Sequence, residues 1–148
     1  MESFPSFQEA SAPGGQYFPA AEDGSRPGIY RLNTANPTQK NGLGLEALTF
    51  HEAVPGHHFE TALAQERPAF HRLTRLFWST AFKEGWALYA ERIAEEAGLY
   101  PSDGTRLARL GSERFRAARL VVATGIHFKG WTRQEAIDYM MKTLGAGL

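Results

Sequence analysis

The sequence predicts a mainly α-helical domain with a short N-terminal strand and an irregular arm. Apolar residues recur at helical spacing from Leu43 onward, which is typical of buried helix faces. Apolar and polar residues alternate from Ile29 to Thr34, as they do in a short strand. Residues 1–26 combine Pro, Gly and Ser, a composition that favours irregular backbone. The 148 residues, 43% of them apolar, are enough for one such domain.

The predicted elements follow in order along the chain. Residues 1–26 form the arm, whose aromatic residues indicate that it packs against another surface. Residues 27–148 form a helical segment that begins with the strand and a turn at Asn36-Pro37. Four helical runs are predicted in this segment. The first extends from Leu45 to about Glu66 and is interrupted by Pro55-Gly56, and the second extends from Phe70 to Ala97. The third begins after Ser102 and ends at about Gly125, and the last begins at Thr132.

The last helix has the clearest start. Thr132 and Glu135 have the spacing of a capping box, in which each side chain accepts a hydrogen bond from the other residue's backbone N–H. The end of this helix has no such signal, since residues 143–148 run on without a firm boundary. We therefore expect the chain to be part of a larger helical domain.

Charge and composition exclude several classes of protein. The 16 Lys and Arg residues balance 16 Asp and Glu and are interspersed with them, so no basic stripe is predicted for nucleic acid. No apolar run approaches the roughly 20 residues of a membrane-spanning helix, and the first residues show no leader pattern. These features assign the protein to no particular cellular compartment. Because the chain has no cysteine, a metal ion has to be held by His, Asp or Glu.

One ten-residue stretch beginning at His51 combines three of the five histidines with two acids. In zinc peptidases with the pattern HExxH, two histidines four residues apart bind one Zn²⁺ and flank a Glu that acts as general base. His51 and Glu52 match the first two positions, but Pro55 occupies the position of the second histidine. The candidates for the second ligand are therefore His57 and His58.

The backbone between these histidines favours His57. On a regular helix His58 points in nearly the same direction as His51 but lies roughly 10 Å further along the axis, too far to share one ion easily. Pro55 lacks the N–H for the helical hydrogen bond, so the helix must open there. With Pro55-Gly56 looped out as a bulge, His57 takes the place of the missing ligand, and His58 remains the alternative.

A catalytic zinc site of this kind needs a third protein ligand, commonly a Glu from a following helix. Glu84, 33 residues after His51, is the candidate. Gly85 beside it would allow the backbone to approach the ion or the first helix. Glu91 lies two turns further along the same helix face and can orient a ligand histidine.

The segments HEAVPGHH, FKEGWALYAER and RAARLVVATGIHFKGWTRQEAIDYM resemble the bacterial family catalogued as domain of unknown function 885, whose members are regarded as zinc-peptidase-like. The resemblance covers about residues 27–144. The second segment is also similar to the glutamate-bearing helix of the gluzincin metallopeptidases, which supports Glu84 as third zinc ligand. The resemblance implies a largely helical fold, one zinc ion and hydrolysis of a peptide-like bond.

Two departures from the family pattern bear on activity. Family members are typically several times longer, so the chain resembles their central catalytic segment without the flanking helices. Where the family usually reads VVDTG, this chain has Ala123 in place of the Asp. If that carboxylate holds a ligand or the substrate, its loss affects activity even with zinc bound.

The expected function is a zinc-dependent hydrolase of peptide or amide bonds. Zinc held by His51, His57 and Glu84 would lower the pKa of a bound water, and Glu52 would deprotonate that water. His127 is a candidate donor to the developing oxyanion, with the capping of a helix C-terminus as its alternative role. The alternative function is a non-catalytic helical fragment or interaction module that retains the metal motif.

Overall fold

The computed structural model describes residues 1–35, 42–67 and 79–145. This part of the chain is mainly helical, which confirms the predicted fold class. Its helices are α1 (Leu45–Glu52), α2 (His57–Glu66), α3 (Thr80–Glu96), α4 (Asp103–Lys129) and α5 (Arg133–Leu144). Its strands are β1 (Glu2–Ser3), β2 (Gly15–Phe18) and β3 (Ile29–Leu32). The predicted turn at Asn36-Pro37 and the predicted helical stretch from Phe70 to residue 78 lie outside the described residues.

The chain divides into two compact units, with the boundary inside α4. The first unit, Met1–Arg106, holds the strands, α1 to α3 and the start of α4. The second unit, Leu107–Leu148, holds the rest of α4 together with α5. Among the helices described, none is both long enough and apolar enough to cross a bilayer.

The strand predicted around Ile29 is the centre of a three-stranded sheet with the order β1-β3-β2. β2 pairs with β3 antiparallel, with Gly15 opposite Leu32, and β1 pairs with β3 parallel. The structure differs here from the expectation for residues 1–26, since the arm contributes two strands to the sheet. Asn33 anchors the loop between them, because its side-chain amide donates to the carbonyl oxygens of Glu9 and Ala12.

The first predicted helical run is two helices instead of one bulged helix. α1 ends at Glu52 and α2 begins at His57, with the turn Ala53–Gly56 between them and a cis Val54–Pro55 peptide bond. A Cβ atom on Gly56 would overlap with the carbonyl oxygens of His51 and Phe50. Only glycine therefore fits this turn as it stands.

Small residues on α3 allow it to pack closely on α1. Ala87, Ala90 and Ala94 are fully buried, and Ala94 forms a core cluster with Ala47 and Tyr100. Alanine places little volume between two helix backbones, so their axes can approach. This close packing brings acidic residues of α3 next to the end of α1.

In the second unit, α4 continues four residues beyond the end predicted at Gly125. Gly130, with φ at 71°, takes the left-handed conformation that suits the residue after a helix end. Gly125 is needed for packing instead, because a Cβ atom there would overlap with the Trp131 indole. The predicted capping box is present: Thr132 N donates to Glu135 Oε2 at 2.7 Å, and Glu135 N donates to Thr132 Oγ1 at 3.2 Å.

Replacing Gly125 by Ala is expected to destabilise the protein by about 1–3 kcal/mol, because the added methyl group displaces the indole of Trp131. The measurement is the free energy of unfolding by chemical denaturation. Gly111→Ala on the same helix is the matched control, since a Cβ atom there meets nothing within 4 Å. That control should be neutral or more stable by up to about 1 kcal/mol. Equal stability of both variants would contradict the packing role of Gly125.

Candidate metal centre

The three predicted ligands come together where three helix ends meet. His51 lies in the last turn of α1, His57 is the first residue of α2, and Glu84 lies near the start of α3. Nε2 of His51 is 3.5 Å from Oε2 of Glu84, and Nε2 of His57 is 3.7 Å from Oε1 of Glu84. One possible ligand atom from each residue can be chosen so that all three lie within 4.8 Å of one another.

The chemistry of these donor groups suits a zinc ion. A tetrahedral zinc with bonds of about 2.0–2.1 Å separates its ligand atoms by about 3.3–3.4 Å. The separations of 3.5 and 3.7 Å run from the two histidines to the two different oxygens of the Glu84 carboxylate. With one ligand atom per residue, the three atoms lie within 4.8 Å of one another, so the side chains would move closer together to share one ion. Two imidazoles and one carboxylate are also the donor set of catalytic zinc sites that keep a fourth position for water or substrate.

A buried carboxylate orients the first histidine. Nδ1 of His51 lies 2.9 Å from Oε1 of Glu91, and the two side chains are 5% and 1% exposed. Ligand histidines commonly donate their second ring N–H to a carboxylate, which fixes the ring and its tautomer. The contact directs Nε2 of His51 toward Glu84, in the role expected for Glu91 from its position on the helix face.

The turn between α1 and α2 places His57. The rings of His51 and His57 are 4.8 Å apart between centroids, at an angle of 86°. Trp86, two residues after Glu84, donates from Nε1 to the carbonyl oxygen of Pro55 at 2.9 Å and so ties the turn to α3. Sequence reasoning did not assign this role to Trp86, although the residue lies in the motif that pointed to Glu84.

The electrostatics of His57 favour metal binding. Burial and the neighbouring His51 lower the pKa of the His57 imidazole, and the carboxylates of Glu84 and Glu60 offset part of this effect. A lowered pKa keeps the ring neutral down to a lower pH, and the neutral ring is the form that binds a metal ion.

His58, the alternative ligand, has a different partner. Its Nδ1 atom lies 3.2 Å from the hydroxyl oxygen of Tyr17, and the two rings are 5.3 Å apart between centroids. The structure therefore groups His57, and not His58, with His51 and Glu84.

The carboxylate of Glu52 lies at the boundary between α1 and the sheet. Its side chain is buried, and its Oε2 atom accepts a hydrogen bond of 2.8 Å from the backbone N–H of Tyr17 in β2. This bond holds one oxygen of the candidate general base. This contact between Tyr17 and Glu52 was not predicted from the sequence, because Tyr17 lies in the arm that was expected to be irregular.

Gly85 is not required for the approach of α3 to α1, which was one of the two reasons expected for a glycine at this position. A Cβ atom at this position would meet nothing within 4 Å, so neither α1 nor a neighbouring backbone requires glycine there. The close approach of α3 to α1 depends on its buried alanines instead.

The remaining predicted residues belong to the second unit. His127 lies in the last turn of α4 with an exposed side chain, and Ala123 is exposed one turn earlier. In the part of the chain that the structure describes, the ligand grouping draws on the first unit alone. The oxyanion role of His127 stays a prediction.

The fold and the His-His-Glu grouping can be compared with known proteins. Residues 1–146 match the family described as "Bacterial protein of unknown function (DUF885)", and the chain belongs to that family. Among curated proteins, none matches the chain.

One similar solved structure is "the putative lipoprotein from Colwellia psychrerythraea", at 46% sequence identity and a TM-score of 0.89. The match covers 99% of this chain and 26% of that chain. The present chain thus spans about a quarter of the length of that protein.

Proposed function

We propose that this chain carries the catalytic centre of a zinc-dependent hydrolase of peptide or amide bonds. The observation that supports it most is the convergence of His51, His57 and Glu84, with a buried carboxylate, Glu52, directly after the first ligand. Two histidines and a glutamate with an adjacent general-base candidate form the donor set and the base that metal-assisted hydrolysis needs.

Each side chain has a distinct part in this proposal. Zinc, when bound, supplies a Lewis acid and lowers the pKa of a coordinated water. Glu52 accepts the proton of the attacking water and returns it to the leaving amine. The hydrogen bond from Tyr17 N holds the Oε2 atom of this carboxylate in place. Glu91 keeps the His51 ring in the orientation that metal binding needs.

The proposal predicts about one zinc per chain by elemental analysis after exhaustive dialysis. His51→Ala, His57→Ala and Glu84→Ala should each lose this zinc, because each removes one of three protein ligands. His58→Ala should retain it and serves as the matched control, since His58 contacts Tyr17 instead. Folding of every variant is checked by circular dichroism. A folded wild-type chain without zinc would exclude the proposed function.

A second candidate is a helical module that binds the metal without turnover. Ala123 favours it, because the family pattern that the chain resembles usually has an Asp at this position. Zinc binding without hydrolysis of a diverse peptide library would support this candidate. Turnover that a chelator abolishes would exclude it.

A further inference from the structure

Glu84 is the most exposed of the three candidate ligands, so its position depends on the backbone that carries it. Its side chain is 60% exposed, against 5% for His51 and 15% for His57. The carboxylate of Glu84 lies within 4 Å of a ring nitrogen of each of these two histidines. A long exposed side chain keeps much of its rotamer freedom, so a ligand of this kind needs its helix turn held in place from outside the ligand set.

An ion pair beside the ligands holds that turn. Lys83, the residue before Glu84, bonds through Nζ to Oε2 of Glu60, which lies one turn after His57 on α2. The side chains of this pair are only 15% and 11% exposed. Thr61, also buried, extends the network, since its Oγ1 is 3.4 Å from Lys83 Nζ and donates to Glu60 Oε2 at 3.3 Å.

We propose that the Glu60–Lys83 ion pair is a positioning device for the metal site, which fixes Glu84 against His57. The inference rests on the proposed function. An ion pair with little solvent around it is screened less than a surface pair and holds its geometry better. Lys83 directly precedes the ligand Glu84, and Glu60 lies one helical turn after the ligand His57.

The direction in which zinc affinity changes when the Lys83 charge is removed distinguishes a positioning role from a direct effect of charge on the metal ion. Lys83 is a cation close to the site, and by itself it would repel a divalent metal ion. Removing its charge would therefore strengthen zinc binding if charge alone mattered. If the pair positions Glu84, the same removal weakens zinc binding.

The test is the zinc dissociation constant of the full chain, measured by competition with a chromophoric chelator. Lys83→Met should raise that constant about 10- to 100-fold, the range seen when groups that orient metal ligands are removed. Lys83→Arg, which keeps the charge and the reach, should restore most of the affinity. Arg92→Met is the matched control, because the Arg92–Glu96 pair lies within α3 and is 67% and 61% exposed. That control should bind zinc as the wild type does.

Zinc binding by Lys83→Met that is unchanged or tighter would overturn the proposal. A lower melting temperature of the metal-free variant with unchanged zinc affinity would overturn the proposal as well. That result would mean that the ion pair stabilises the fold without positioning Glu84. If Lys83→Met fails to fold, Lys83→Gln removes the same positive charge with a polar side chain, and the same loss of zinc affinity is expected from it. A wild type without zinc overturns the proposed function along with this inference, whereas a zinc-binding wild type with unaffected variants overturns the positioning role alone.

Discussion

Replacing Glu52 by Gln is expected to lower peptide hydrolysis by about 10²- to 10⁴-fold, the range for loss of a general acid or base. The amide cannot take up the proton of the attacking water. Its oxygen can still accept the hydrogen bond from Tyr17 N, so the local structure should persist. Because Glu52 is not among the candidate ligands, zinc should remain bound at the wild-type level.

The measurement pairs initial rates on a fluorogenic peptide with zinc content by elemental analysis. Glu66→Gln is the matched control, since Glu66 is an exposed acid at the end of α2 and is expected to leave both quantities unchanged. Full activity of Glu52→Gln with zinc still bound would show that the general-base role is wrong.

Replacing Gly56 by Ala is expected to destabilise the protein by about 3 kcal/mol and to abolish zinc binding. The added methyl group overlaps with the backbone carbonyls of Phe50 and His51, and a backbone atom cannot move aside as a flexible side chain can. The turn must therefore shift, and it carries His51 on one side and His57 on the other. The measurements are the free energy of unfolding without metal and the zinc content after dialysis.

Gly85→Ala is the control for this substitution, because it lies next to Glu84 and its Cβ atom would meet nothing within 4 Å. It should bind zinc normally and gain up to about 1 kcal/mol from the better helix propensity of alanine. Wild-type zinc binding by Gly56→Ala would mean that the turn between the two ligands is not fixed by this glycine.

Local signals predicted the elements whose stabilising contacts are close in sequence. The capping box of Thr132 and Glu135 joins residues three apart, and the structure contains both of its hydrogen bonds. The break at Pro55 was predicted because proline lacks the N–H that helix continuation needs. By contrast, β2 was missed because its pairing with β3 joins residues such as Gly15 and Leu32, and pairing with a distant strand leaves no local pattern in a Gly-rich segment.

The sequence by itself determined the chemical types in the candidate site. His51, Glu52 and Glu84 could be selected because few residue types bind zinc or transfer protons, and the absence of cysteine narrowed the choice further. The sequence also narrowed the candidates for the second metal ligand to His57 and His58. Residue chemistry and spacing along the chain are enough to select these candidates, and the resemblance of the Glu84 segment to the gluzincin helix supports the third ligand.

Only the tertiary structure decided how these groups meet. The grouping of His57 instead of His58 depends on the Ala53–Gly56 turn, which Trp86 ties to another helix. The hydrogen bond from Tyr17 to Glu52 joins residues 35 positions apart. Contacts of this range depend on how helices and strands pack, and packing is set by the summed burial of many side chains, which no single motif contains.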